Sequence, residues 1–130
     1  LMQAEFAMQD QDYSRAEQAY ATAAKLDADG AMGLMAALGQ AGALIKLDRP
    51  ADAVTLLQGL ESRATEDGRA TLRVLLGEAA EAAGKTDVAV AAYEALAASQ
   101  PGLDGEFYRS RAEALGGGKT APVKDGAENK

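Results

Sequence analysis

A small residue followed four positions later by a large one occurs three times at nearly constant spacing. Ala16 precedes Tyr20, Ala53 precedes Leu57, and Ala89 precedes Tyr93, with intervals of 37 and 36 residues between successive alanines. Three positions beyond each large residue lie Ala23, Leu60 and Leu96, and twelve positions before each alanine stand Ala4, Ala41 and Gly77. A period of this length is the size of one supersecondary unit, and it sets the architecture before any other pattern is read. Two small residues twelve apart belong to two successive helices. They allow a close helix–helix approach while the large residue fills the groove beside them.

The composition agrees with helices. The chain of 130 residues has 31 alanines, rich accompaniment in Leu, Glu, Gln and Arg, and no alternating β-branched run between turn signals. Punctuation predicts helices over about 1–9, 13–25, 31–47, 50–64, 68–83, 87–99 and 104–115. Asp12, Asp48 and Thr86 are expected N-caps, and Pro50 suits a first turn, where a missing N–H costs nothing. Gly84 and Gly102 fit left-handed positions that end helices.

These repeats resemble the tetratricopeptide repeat family, a helix–turn–helix unit of 34 residues with small, small, aromatic and small residues at set offsets. The third copy is the fullest, with Leu76-Gly77, a turn glycine at Gly84, then Ala89, Tyr93 and a closing Pro101. The first copy has Ala28 where the proline would fall. The second has Gln40-Ala41 and aliphatic Leu57 in place of the leucine-glycine pair and the aromatic. The resemblance implies an all-α fold, a right-handed solenoid of about three hairpins (about 1–30, 31–67 and 68–103) closed by a capping helix over 104–115. In that cap Phe107 and Leu115 are expected to point inward, with Glu106, Arg109, Arg111 and Glu113 facing water. The other possibility is the first helix of a fourth repeat. The polar segment 116–130, without aromatics and containing Pro122, is expected to be disordered.

Composition excludes much chemistry. There is no cysteine and no histidine, so thiolate nucleophiles, imidazole bases and the usual zinc ligands are absent. The net charge of −7 argues against a nucleic-acid partner, because polyanion binding needs a basic stripe. Residues 1–115 carry ten Lys/Arg against eighteen Asp/Glu, and the last fifteen residues are close to neutral. No apolar run approaches the roughly 18–20 residues that span a bilayer, so direct membrane insertion by this segment is not expected. The opening Leu1-Met2-Gln3 already reads as helix, as expected of a fragment of a longer protein.

Candidate motifs were weighed and set aside. Gly84-Lys85-Thr86 and Gly118-Lys119-Thr120 lack the earlier glycine of a phosphate loop, having Ala79 and Glu113 there. Asp27-Ala28-Asp29-Gly30 does not continue into a calcium loop, because Met32 and Leu34 fall where oxygen ligands are needed. No catalytic residue, cofactor or metal is expected.

In the family, the first helices of successive repeats line a concave face that binds a peptide or partner helix. Carried onto this chain, the resemblance implies a groove of Glu5, Met8 and Gln9, then Met35, Leu38, Gly42 and Ile45, then Thr71, Val74, Glu78 and Glu81. Such a groove is apolar in the middle with acid at its edges, and suits an amphipathic or mildly basic segment. For Met32 and Met35 core filling is the default role at this helical spacing, with a peptide-binding groove as the alternative. One subgroup of the family grips a terminal carboxylate with Lys, Asn and Arg. The matching positions here are Leu1, Glu5, Gly42, Thr71 and Leu75, none of which can do so. The expectation is therefore a non-catalytic scaffold with a protein or peptide partner. Alternatives are a self-associating segment of a larger protein or an accessory domain of an enzyme encoded upstream. Resemblance to bacterial periplasmic members of the family suggests the periplasm or cell envelope, with the cytoplasm as the alternative.

Overall fold

A computed structural model describes residues 2–116, and the described residues form seven α-helices and one 3₁₀ turn without any strand. The helices are α1 (Met2–Gln9), α2 (Tyr13–Leu26), α3 (Ala31–Lys46), α4 (Pro50–Leu60), α5 (Glu66–Ala82), α6 (Thr86–Ser99) and α7 (Gly102–Ala114). The expectation of disorder falls, beyond Gly116, outside the described residues. Each helix packs on the next in sequence, and α3 also packs on α5.

The small residues of the repeat are where the helices meet. Ala4, Ala16, Ala41, Ala53 and Ala89 are all 0% exposed, and Gly77 is buried. The large residues pack as expected at two of the three positions. Leu57 and Tyr93 are buried, while Tyr20 is only partly so. A Cβ on Gly77 would lie 2.7 Å from the Tyr93 ring, so the aromatic occupies the space that the glycine leaves. Tyr20 fills the space beside a glycine of the following helix instead, where a Cβ on Gly39 would lie 2.5 Å from its ring. The main core gathers Leu57, Leu72, Leu96 and Val54 as its largest fully buried side chains, and contains no buried polar or charged residue among those described. A smaller cluster of Ala7, Ala16 and Ala43 joins α1, α2 and α3.

The turns inside the three hairpins share one backbone form. Gln11, Asp48 and Gly84 have φ of 63°, 61° and 75°. The N–H of the following residue donates back across the turn in each, from Asp12 to the Ala7 carbonyl (2.8 Å), from Arg49 to Leu44 (2.9 Å) and from Lys85 to Ala80 (2.8 Å). This is the Schellman type of helix ending, which satisfies carbonyls left over by the last turn. Only the third copy uses glycine there. Asp48 is thus a left-handed turn residue and not the expected N-cap, which is Arg49. Thr86 is likewise the first residue of α6, capped by Lys85. Asp12 caps α2 as expected, accepting from the Arg15 amide, and Thr65 caps α5 through Gly68.

Three further expectations are corrected. The fourth helix stops at Leu60, and Glu61–Arg63 form a 3₁₀ turn. Gly102 has the expected positive φ of 66° but opens α7, with Pro101 as its N-cap. Phe107 points outward at 64% exposure. The face that α7 turns inward is set by Gly105, where a Cβ would collide with the Gln100 carbonyl oxygen of the preceding turn. Ala112 (2% exposed) and half-buried Tyr108 share that stripe by helical periodicity, which leaves Phe107 on the far side. Leu115 does pack against the core. Gly33 stands in the same relation to the Asp27 carbonyl at the start of α3.

Gly33→Ala and Gly105→Ala are expected to destabilise the fold by about 1–3 kcal/mol each, because backbone has to move. Gly59→Ala, in a helix with open space around it, should instead stabilise by about 0.5–1 kcal/mol. Urea titrations of the three variants check both signs.

Candidate functional site

Exposed and half-exposed apolar side chains enclose a space over α3. A cleft of about 620 Å³ is lined by Met8 of α1, Tyr20 of α2, Leu34, Met35, Leu38, Gly39 and Gly42 of α3, and Thr71 and Leu75 of α5, with Ala31, Thr65 and Gly68 at its end. No charged side chain lines it. Met35 is 62% exposed, so its thioether is a flexible apolar surface and not core filling. Leu38, at 7%, forms the floor.

Five of the eleven residues expected in the groove line this cleft: Met8, Met35, Leu38, Gly42 and Thr71. Val74 lines a smaller neighbouring cleft of about 300 Å³ with Ala70, Leu96, Gln100 and Tyr108. Thr71 and Leu75 border both spaces, so the two are contiguous along α5. Ile45 is half-buried and packs on the core. Glu5, Gln9 and Glu78 are exposed outside the lining.

Glu81 has a different task. Its carboxylate accepts from the Tyr93 hydroxyl at 3.1 Å and from Arg111 Nε at 3.2 Å, and pairs with Arg111 through a second guanidinium nitrogen. It ties α5 to both α6 and α7. Tyr93 in turn stacks on Tyr108 with ring centroids 6.1 Å apart, and Phe107 meets Tyr108 edge-on at 5.3 Å. Arg111, expected to face water, is exposed but committed to this contact.

Burial, and then the charge of Glu5, hold the Tyr20 hydroxyl above the ordinary tyrosine pKa. The Tyr93 hydroxyl is raised first by burial, then by Glu78 and by Tyr108. Both tyrosines are neutral hydrogen-bonding groups at neutral pH. Among the described residues no three His, Cys, Asp or Glu side chains gather in a way that could hold a metal ion, and no helix is long and apolar enough to cross a membrane.

Tyr20, Ala31, Leu34, Gly39, Thr65, Gly68 and Leu75 line the cleft without having been in the expected groove. Tyr20 meets a glycine on the following helix, whereas Tyr93 meets one on the preceding helix, so the repeat register does not pair Tyr20 with Gly39. Comparison with protein-family models, with curated proteins and with solved structures finds no match to this chain.

The Glu81–Arg111 contact is partly exposed at both ends, and a double-mutant cycle with Glu81→Gln and Arg111→Gln should return a coupling of about 0.3–1 kcal/mol. Thermal melts at low and high salt check it, with the coupling shrinking as ionic strength rises.

Proposed function

We propose that the chain is a non-catalytic scaffold that binds a protein segment in the cleft over α3. The single observation carrying this reading is the cleft itself, a space of about 620 Å³ walled by uncharged side chains from four helices, with Met35 left 62% exposed. Apolar clefts of this size with a few polar groups are what recognition of a peptide or partner helix requires. Thr71 and the Tyr20 hydroxyl supply polar handles inside it.

Support for the architecture comes from recurring features. The three hairpin turns repeat in backbone form, and the small-residue register is buried in all three copies. On this reading α1–α2, α3–α4 and α5–α6 are three tetratricopeptide-like hairpins of a right-handed solenoid, and α7 covers the last of them. A repeat hairpin cannot bury its apolar face alone, so each relies on its neighbour. The first helices α1, α3 and α5 then line one concave surface. Periplasm or cell envelope remains the proposed compartment, on the resemblance alone.

A second reading, self-association, is favoured by exposed apolar side chains on α1 and α2. Met2, Phe6 and Leu26 are 69%, 59% and 84% exposed, and Met2 and Leu26 border one depression.

Binding is tested by panning a random peptide library on the immobilised chain and measuring selected peptides by fluorescence anisotropy. Met35→Asp changes an exposed side chain and should leave the circular dichroism spectrum intact while weakening binding at least tenfold. Unchanged affinity in this variant would reject the cleft as the site. Sedimentation equilibrium of Phe6→Ser beside the parent chain tests self-association, with loss of a concentration-dependent mass as the supporting result.

A further inference from the structure

The cleft is uncharged, yet two carboxylates stand one helical turn beyond its walls. Glu5 lies three residues before Met8 on α1, and Glu78 lies three residues after Leu75 on α5, while Met8 and Leu75 both line the cleft. Residues three apart share a helix face, so each carboxylate sits at a rim. Glu5 is close enough to Tyr20, and Glu78 to Tyr93, for its charge to act on the tyrosine hydroxyl. Among the described residues neither carboxylate takes part in an ion pair or a side-chain hydrogen bond. Glu81, the third acid expected at this edge, is already satisfied by Arg111 and Tyr93.

The repeat register puts these two acids in one row. Glu5 follows Ala4, Gly42 follows Ala41, and Glu78 follows Gly77. Between the acids, then, comes a glycine in the middle of α3, a position that disfavours glycine in an ordinary helix. Among the described residues nothing requires it, since a Cβ on Gly42 would meet no atom within 4 Å. It leaves the α3 wall of the cleft without a side chain at the register position that Glu5 and Glu78 occupy on α1 and α5.

We propose that the partner of this cleft is an extended segment with an apolar stretch flanked on each side by a lysine or arginine, the two cations meeting Glu5 and Glu78 while the backbone crosses over Gly42. This rests on the scaffold reading above and names the chemistry of its partner. Helices α3 and α5 pack directly, about 8–10 Å apart, and α1 joins α3 through α2 and the cluster of Ala7, Ala16 and Ala43, so carboxylates on α1 and α5 stand on the order of 16–20 Å apart. About five or six residues in extended form span that distance. A helix covering it would need about 11–13 residues at a diameter of about 10 Å, and would stand largely outside the cleft. Exposed ion pairs add little affinity each but discriminate well against the wrong charge.

The test uses three fluorescein-labelled peptides sharing a segment of about five alternating leucines and serines, ended on both sides by lysine, glutamine or glutamate. Fluorescence anisotropy with the full chain at low salt should rank lysine over glutamine over glutamate, with steps of about three- to tenfold. In the double variant Glu5→Gln, Glu78→Gln the lysine-to-glutamine ratio should fall close to one, with the glutamine-ended peptide bound as before. Glu106→Gln, an exposed acid on α7, should leave the ratio untouched. A ratio that survives the double variant, or that drops equally in Glu106→Gln, overturns the inference, because the preference then belongs to overall charge. Equal binding of all three peptides overturns the inference and leaves the scaffold reading standing. No saturable binding of any peptide, with Met35→Asp indistinguishable from the parent, overturns both.

Discussion

Close approach of consecutive helices at residues too small to hold them apart is the constraint on which this molecule depends. Each of the seven helices brings to its packed face an alanine or glycine with almost no exposed surface: Ala4, Ala16, Ala41, Ala53, Gly77, Ala89 and Ala112. A chain with so many alanines has little side-chain volume to offer a core. It compensates by bringing backbones together, so that Leu57, Leu72, Leu96 and Val54 can fill what remains. Where even alanine is too large, glycine is found, at Gly33 and Gly105 against carbonyls and at Gly39 and Gly77 against tyrosine rings. The position of α3 over α2, and hence the cleft, follows from these contacts.

Much of this was legible in the sequence. Helix boundaries agreed to within a few residues because alanine, proline and aspartate punctuate the chain clearly, and the buried register was the one that the spacing predicted. The misses have a common physical origin. The side chains of Asp48 and Thr86 suggest caps, whereas the hairpin turns are defined by a backbone conformation that Gln11 and Asp48 adopt as well as Gly84 does. Phe107 was read as inward because it is large and apolar. Helical phase is decided instead by Gly105, whose lack of a side chain permits contact.

The candidate site was legible only in part, for a reason that lies in the difference between face and neighbour. Periodicity assigns Met8, Met35, Leu38, Gly42 and Thr71 to one side of their helices, and they do line one space. It cannot say that Glu81 has found Arg111 thirty residues away, since that pairing depends on where α7 lands. Nor does it point to Tyr20, which belongs to a second helix and reaches the cleft only because Gly39 lets α3 come near.

The two tyrosines set beside glycines have one more consequence. With no histidine or cysteine in the chain, and with the Tyr20 and Tyr93 hydroxyls held above the ordinary value, no side-chain type present ordinarily changes its charge between about pH 5 and pH 9. The chain therefore holds no imidazole or thiol whose charge a change of pH near neutrality could switch. An imidazole- or thiol-based pH switch in a complex would have to originate in the partner.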